Sequence, residues 1–209
     1  TVYAPAGDAV RVRNVSRNVA LRNNILWARA GYDLHVARDS QEGFDSDYNN
    51  LFASDSGRLV WWQKPFDDLF DWQVEADFDS HSIGTTALAP TLDAPQFVDR
   101  AGDDYHLTAA ASTSLDAGDP DIALVHEPAP DGGRTNLGAY GNTAEAAVSA
   151  ASYLAIDYPN YYTDLMASGG HGIAWHAFNV TGDLDVDLYQ EGVGKIADIA
   201  VVPVADGQA

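Results

Sequence analysis

The chain has 209 residues, no cysteine and a formal net charge of −20. The lack of cysteine excludes disulfides, thiolate metal sites and a cysteine nucleophile. The acidic balance disfavours binding to nucleic acid or anionic membranes, and no apolar run reaches the roughly 18 residues of a membrane span. The composition therefore indicates one large or two small globular domains, with no insertion into a membrane.

The negative charge is unevenly distributed along the chain. Residues 1–58 contain seven arginines and seven acidic residues, whereas residues 59–209 contain 24 acidic and four basic residues. Such a surface suits a high-salt environment, in which ions screen the self-repulsion. Bound calcium is a second way to compensate the charge, and an acidic surface that only serves solubility is a third.

Short strands are predicted in the first part of the chain. AVRVRNV, residues 9–15, and YDLHVA, residues 32–37, alternate apolar and polar side chains with the period of a half-buried strand. In the second stretch, the alternation places Leu34 in the core and predicts that Asp33 and His35 share the outward face.

A repeat links two segments of the chain. LRNNILWARAGYDLHVA, residues 21–37, is echoed by SDYNNLFASDSGRLVWW, residues 46–62, with an offset of 26 residues between the Asn-Asn pairs. A fixed offset of this size indicates stacked structural units. The asparagines predict a ladder in which amides of successive units bond to each other and to the turning backbone; a ligand contact is the alternative.

Residues 57–90 break the repeat and are aromatic and acidic. Phe66 and Phe70 stand at helical spacing, which predicts a short helix over residues 66–74. We interpret this part of the chain as an excursion from the last full repeat.

The segments that follow carry a resemblance to a known family. They are APQFVD (residues 94–99), DDYHLTAAASTSLDAGDP (residues 103–120) and EPAPDGGRTNLGAYGNTAEAA (residues 127–147). Together with the LRNNIL and DYNNLF turns, they resemble right-handed parallel β-helix repeat proteins of the pectate-lyase-like superfamily. The resemblance covers residues 10–147 and implies an all-β fold. By this resemblance, residues 94–99 lead away from the last regular coils and residues 103–120 form the final coil. The segment GGRTNLGAYG then caps the C-terminal end of the β-helix.

The C-terminal part shows a different pattern. Residues 148–160 are rich in alanine and are predicted to be a linker between the β-helix portion, residues 1–147, and residues 161–209. HGIAWHAFNVTGDLDVDLYQEG, residues 171–192, resembles the start of a small immunoglobulin-like β-sandwich. Because a whole sandwich needs about 100 residues, this module either is cut short or completes its sheet against the β-helix.

Three sets of side chains are candidates for chemistry. A carboxylate and an imidazole at Asp33 and His35 could serve as base and orienter in catalysis, or lie on a solvated strand face. The tryptophans could form a platform for sugar rings, or a hydrophobic plug; they are Trp61, Trp62 and Trp72. Clustered aspartates could bind calcium, or occupy tight turns; they are Asp77, Asp79, Asp116 and Asp119.

The resemblance implies a secreted, extracellular protein that acts on or binds polysaccharide. We expect the chain to be the C-terminal region of a polysaccharide lyase or glycoside hydrolase-like protein, with most of the active site on coils preceding Thr1. The first residues would then be a cut face that stacks on missing coils or self-associates. A non-catalytic structural or adhesion protein is the alternative, and fold-level resemblance does not decide between the two.

Overall fold

The computed structural model describes residues 1–87, 89–109, 112–158, 172–190, 194–204 and 207–208. Strands account for 39% of the structure and helix for 8%, so the predicted all-β class is confirmed. Contacts divide the chain into two units, Thr1–Ser149 and Ala150–Ala209. The domain boundaries expected from the sequence remain a prediction.

The first unit is a strand-rich body with one α-helix among its described residues. Its elements in chain order are β1 (Val2–Ala4), β2 (Val10–Val12), β3 (Ala20–Arg22), β4 (Ile25–Val36), β5 (Asp45–Asp47), β6 (Asn50–Trp61), β7 (Pro65–Phe66), α1 (Leu69–Ala76), β8 (Ile83–Gly84), β9 (Phe97–Asp99) and β10 (Asp104–Leu107).

Parallel pairing at a nearly constant spacing organises these strands. β1 and β2 both pair with β4, β4 pairs with β6, and β3 pairs with β5. The facing residues are 24 to 26 positions apart, as in Val2↔Leu26, Ile25↔Asn50 and Leu34↔Val60. The register shifts by one between Ala28 and Ala30. The 26-residue offset is therefore found after this irregularity, and an offset of 25 before it.

The shifted register decides which asparagines form the ladder. Asn24 Nδ2 donates a hydrogen bond to Asn49 Oδ1 at 3.1 Å, and the backbone N–H of Asn24 donates to the same oxygen at 3.0 Å. The 26-residue offset predicts that Asn23 pairs with Asn49. In the structure the partner of Asn49 is Asn24, so the observed offset is 25 residues. Both the amide ladder and its bond to the turning backbone are present, between residues 25 positions apart.

Glycines occupy the irregular middle of the long strands. Gly31 faces Gly57 across the β4–β6 pair and has a φ of +88°. A Cβ on Gly31 would lie 2.5 Å from the carbonyl carbon of Gly7, and one on Gly57 would lie 2.2 Å from the carbonyl oxygen of Ala28. Side chains are thus excluded at Gly31 and Gly57, where the backbones of neighbouring segments approach closely.

The main hydrophobic core joins the long strands to the excursion. Its buried members are Val12, Leu26, Leu34, Val36, Phe44, Leu51, Leu59, Val60, Phe66, Leu69 and Trp72. A smaller cluster of Ile25, Leu107 and Leu137 packs the tail of the first unit against the start of β4. Burial of each such side chain stabilises the fold by about 1.5–3 kcal/mol.

The predicted helix exists, but it begins later than residue 66. Pro65 and Phe66 form β7, antiparallel to β6. The carboxylate of Asp68 accepts a hydrogen bond from the backbone N–H of Phe70 at 2.7 Å and caps the helix. The cap therefore fixes the start of α1 at Leu69. None of the helices in the described residues is long and apolar enough to cross a membrane.

The tail departs from the expected final coil. β10 pairs antiparallel with β9, and in the described part of the chain it forms no parallel ladder with β6. Residues 103–120 therefore do not continue the parallel layers through β10. The later GGRTNLGAYG segment contributes Leu137, which is 2% exposed and packs against Ile25.

The second unit consists of antiparallel sheets. Its strands are β11 (Tyr153–Tyr158), β12 (Ala174–Phe178), β13 (Asp183–Gln190), β14 (Gly194–Pro203) and β15 (Gly207–Gln208). β11, β12 and β15 form one sheet, and β13 and β14 another. β11 lies within residues 148–160, the predicted linker, and pairs with β12. Outside the described residues lie positions 159–160 of the predicted linker and positions 161–171, 191–193, 205–206 and 209 of the predicted immunoglobulin-like module.

Candidate functional site

Three parallel strands place a row of functional side chains on one outer face. Arg11 on β2 faces His35 on β4, and His35 faces Trp61 on β6. Facing residues of parallel strands point to the same side of the sheet. The parallel pairing of the strands therefore brings together side chains that lie 24 and 26 positions apart in the sequence.

Tyr32 completes a cluster of rings with two members of this row. Its ring centroid lies 5.8 Å from that of His35 and 5.9 Å from that of Trp61, and the His35 and Trp61 centroids are 5.9 Å apart. All three residues are partly exposed. We call Tyr32, His35 and Trp61 the ring face.

Two ion pairs border the ring face. Arg58 Nη1 donates to the hydroxyl of Tyr32 at 3.2 Å, and its guanidinium forks onto both carboxylate oxygens of Asp67 at 2.5 and 2.7 Å. Arg11 pairs with Asp8, whose side chain is 6% exposed. Each arginine of this border is thus neutralised by a carboxylate of the same chain.

Asp8 also fixes the geometry behind His35. Its Oδ1 accepts from the backbone N–H of Tyr32 at 2.9 Å. Its Oδ2 accepts from Arg11 Nε at 2.6 Å and lies 3.3 Å from His35 Nδ1. The last contact is an electrostatic proximity that lacks hydrogen-bond alignment, because Nδ1 has no hydrogen-bond partner among the described residues. The carboxylate beside His35 is therefore Asp8.

The prediction that Asp33 faces outward beside His35 is wrong. Asp33 is 0% exposed, and its Oδ1 accepts a hydrogen bond from the backbone N–H of Ala28 at 2.5 Å. Burial raises the pKa of Asp33 well above its ordinary value, and the bond from Ala28 opposes this rise. The strand alternation fails here because Gly31, with its positive φ, interrupts the regular pleat just before Asp33.

The neighbouring outer face is covered, in contrast to the ring face. Tyr3, Trp27 and Phe52 face one another across β1, β4 and β6. Phe97 stacks on Trp27 at 6.2 Å, and the guanidinium of Arg100 lies 4.6 Å from the Trp27 ring centroid. Phe97 and Arg100 thus cover the row of aromatic side chains at the start of the long strands β4 and β6.

The predicted tryptophan platform is divided by the structure. Trp61 belongs to the ring face, while Trp62 points to the opposite side and packs against Phe44 at 5.5 Å. Trp72 is 0% exposed, and its Nε1 donates to Asp79 at 2.9 Å. Trp72 as part of a sugar platform is therefore wrong, because no face of its ring is accessible.

The aspartates predicted to bind calcium do not form a ligand set. Among the described residues, no three His, Cys, Asp or Glu side chains come together in a way that could hold a metal ion. Asp77 ends α1 in a left-handed conformation. Asp116 accepts from Ser149 Oγ at 2.9 Å, and Asp119 pairs with Arg22 at 3.1 Å.

Asp79 is buried, and its hydrogen bonds hold the segment after α1 against the strands of the first unit. Its carboxylate accepts four hydrogen bonds from protein donors, which are Ser46, Asn49, Trp72 and Ser82. Burial raises its pKa and these bonds oppose the rise. Its assignment to calcium is corrected, because its accepting oxygens are already engaged by the protein.

Sequence reasoning missed Asp8 and Tyr32. Tyr32 is 26 positions before Arg58, which is the offset of the repeat, and 24 positions after Asp8, which is the offset of the β2–β4 pairing. Applying the same offsets to His35 reaches Arg11 and Trp61. The site becomes visible in the sequence only when candidate residues are compared between layers rather than along one strand.

Comparison with protein-family models, with curated proteins and with solved structures finds no match to this chain.

Proposed function

We propose that the first unit is part of a right-handed parallel β-helix like those of the pectate-lyase-like superfamily. The proposal is supported by the parallel ladders of β4 with β1, β2 and β6, at offsets of 24 to 26 residues. Strands that pair in parallel at such a spacing stack as the coils of a solenoid. The amide bond from Asn24 to Asn49 adds a contact between successive layers.

The function that we propose is polysaccharide binding by an extracellular protein. The observation that carries it is the ring face, where partly exposed Tyr32, His35 and Trp61 lie within 6 Å of one another. Aromatic rings of this kind combine a flat apolar body with a polar edge. A sugar ring offers the matching surface, with apolar C–H groups on its faces and hydroxyls around its rim.

Binding is better supported than catalysis. A general base must reach the proton that it abstracts, and developing charge must be stabilised by available donors. Asp33 is buried, Asp8 makes no aligned hydrogen bond to His35, and the two arginines that border the ring face pair with Asp8 and Asp67. We therefore assign the ring face to recognition and expect no turnover of polysaccharide by this chain.

A structural or adhesion role without a ligand is the second candidate. It is favoured by the burial of Asp33, Trp72 and Asp79. These three residues were candidates for catalysis or binding, and in the structure they serve the packing of the first unit. A purely structural protein would leave the ring face without any glycan partner.

Retention on immobilised polysaccharides tests the proposed function. We expect the wild type to be retarded and Trp61→Ala to lose at least about fivefold in affinity, because a central aromatic contact is removed. Leu92→Ala is the matched control, since Leu92 is 67% exposed and lies outside the ring face. Equal retention of the wild type and Trp61→Ala would contradict the proposal. Release of reducing or unsaturated ends would contradict the assignment to binding alone.

A further inference from the structure

The charges around the ring face restrict the kind of polysaccharide that fits it. Arg58 lies over the ring of Tyr32, with its guanidinium 5.6 Å from the ring centroid. Its fork is directed at Asp67, whose side chain is 63% exposed. A ligand carboxylate approaching Arg58 would compete with Asp67 for the guanidinium and would meet the negative charge of Asp67.

Arg11 is held more firmly than Arg58. Its partner Asp8 is 6% exposed and also accepts from the backbone of Tyr32. Withdrawing Arg11 toward a ligand would leave a buried carboxylate without its cation, which is costly. Arg11 is therefore not free to neutralise an acidic sugar, and Arg58 could do so only in competition with Asp67.

We infer that the ring face recognises a neutral polysaccharide and rejects polyuronates; this rests on the proposed function. The local groups are the apolar faces of Tyr32 and Trp61, the edge of His35 and two internally neutralised ion pairs. The whole chain carries a net charge of −20, which repels polyanions. Arg13 and Arg38 follow the ends of β2 and β4, outside the ring face.

Releasing Arg58 from its carboxylate tests this inference. The wild type, Asp67→Asn and Asp55→Asn are compared for binding to a neutral β-glucan, to xylan and to polygalacturonate at one ionic strength. Asp55 pairs with Arg29 in a similar exposed ion pair, but it lies outside the ring face and is the matched control. We expect the wild type to bind a neutral polymer at least tenfold more tightly than polygalacturonate. Asp67→Asn should narrow this ratio at least threefold, and Asp55→Asn should leave it unchanged.

The possible outcomes distinguish failure of the preference for neutral polysaccharides from failure of polysaccharide binding itself. Wild-type binding to polygalacturonate that equals or exceeds binding to both neutral polymers overturns the inference and leaves polysaccharide binding intact. An unchanged ratio in Asp67→Asn also overturns it, because Asp67 would then not be the group that excludes the acid. Failure of the wild type to bind any of the three polymers counts against the proposed function itself.

Discussion

Asp33 shows that the alternation of apolar and polar residues in a strand does not always predict which side chains are exposed. Its place in YDLHVA predicts an outward carboxylate beside His35, yet the side chain is buried and bonds to the backbone of Ala28. The pattern could be read correctly for Leu34 and Val36, which are both 0% exposed. It failed for Asp33 because the positive φ of Gly31 is a backbone property that alternation of side chains does not report.

The burial of Asp33 predicts a pH-dependent stability. Because its pKa is raised in the folded state, the folded protein holds this proton more tightly than the unfolded chain does. The wild type is therefore favoured below the ordinary carboxyl pKa and loses stability as the pH rises through the raised folded pKa. Asp33→Asn removes this titration and keeps an acceptor for Ala28.

Relative to the wild type, we expect Asp33→Asn to gain about 1–3 kcal/mol in free energy of unfolding between about pH 4 and neutral pH, because only the wild type must hold a proton that the unfolded chain releases or else bury a charged carboxylate. The two proteins should converge at about pH 4, close to the ordinary pKa of a carboxylate. Urea unfolding across this range measures the difference. A difference that stays constant with pH would show that Asp33 does not titrate within it.

At the scale of elements, the offset of the repeat matches part of the parallel pairing of β4 with β6, but it does not give the local register of that pair. The 26-residue offset correctly aligned Leu34 with Val60, whereas the asparagine ladder joins Asn24 to Asn49 because the register shifts between Ala28 and Ala30. Gly7, Gly31 and Gly57 stand at the offsets of 24 and 26 residues that the strands themselves show. This glycine row was the sequence signal for the irregular middle of the long strands.

Close approach of the layers at Gly31 predicts a large cost for any side chain there. Gly31→Ala adds a Cβ that would lie 2.5 Å from backbone atoms of Gly7, at a φ of +88°. Gly133 is a matched control, since it has a φ of +74° and nothing within 4 Å of an added Cβ. We expect Gly133→Ala to cost about 1–2 kcal/mol, from its φ alone.

Gly31→Ala should cost about 1–3 kcal/mol more than this control, because overpacking adds to the backbone strain. Denaturant titrations of the two variants and the wild type provide the comparison. If both substitutions cost the same, the backbones at Gly7 and Gly31 do not approach as closely as the structure describes.

At the scale of the whole molecule, the sequence predicted the class of fold more successfully than the long-range partners. The resemblance of residues 171–192 to a β-sandwich implies strands there, and β12 and β13 lie within this range. The antiparallel pairing of β10 with β9 and the pairing of β11 with β12 were not anticipated. A local pattern indicates that a segment is a strand, but the choice of partner depends on contacts between distant residues.

The acidic surface predicts salt-dependent stability. The net charge of −20 destabilises the compact state through self-repulsion, and salt screens exposed charges. We expect the melting temperature at neutral pH to rise between about 0.05 M and about 1 M NaCl. The rise should shrink at about pH 4, where many carboxylates are protonated. A flat response at neutral pH would be inconsistent with this account.

The central claim is that the ring face binds polysaccharide, and the indole N–H resonances of the five tryptophans report on it most directly. In a titration of the ¹⁵N-labelled protein with a neutral β-glucan oligosaccharide, the Trp61 signal should shift saturably. The signal of buried Trp72 should remain in place and serve as the internal control. Saturable binding that moves other indole signals and leaves Trp61 unchanged would contradict the claim, as would the absence of any binding.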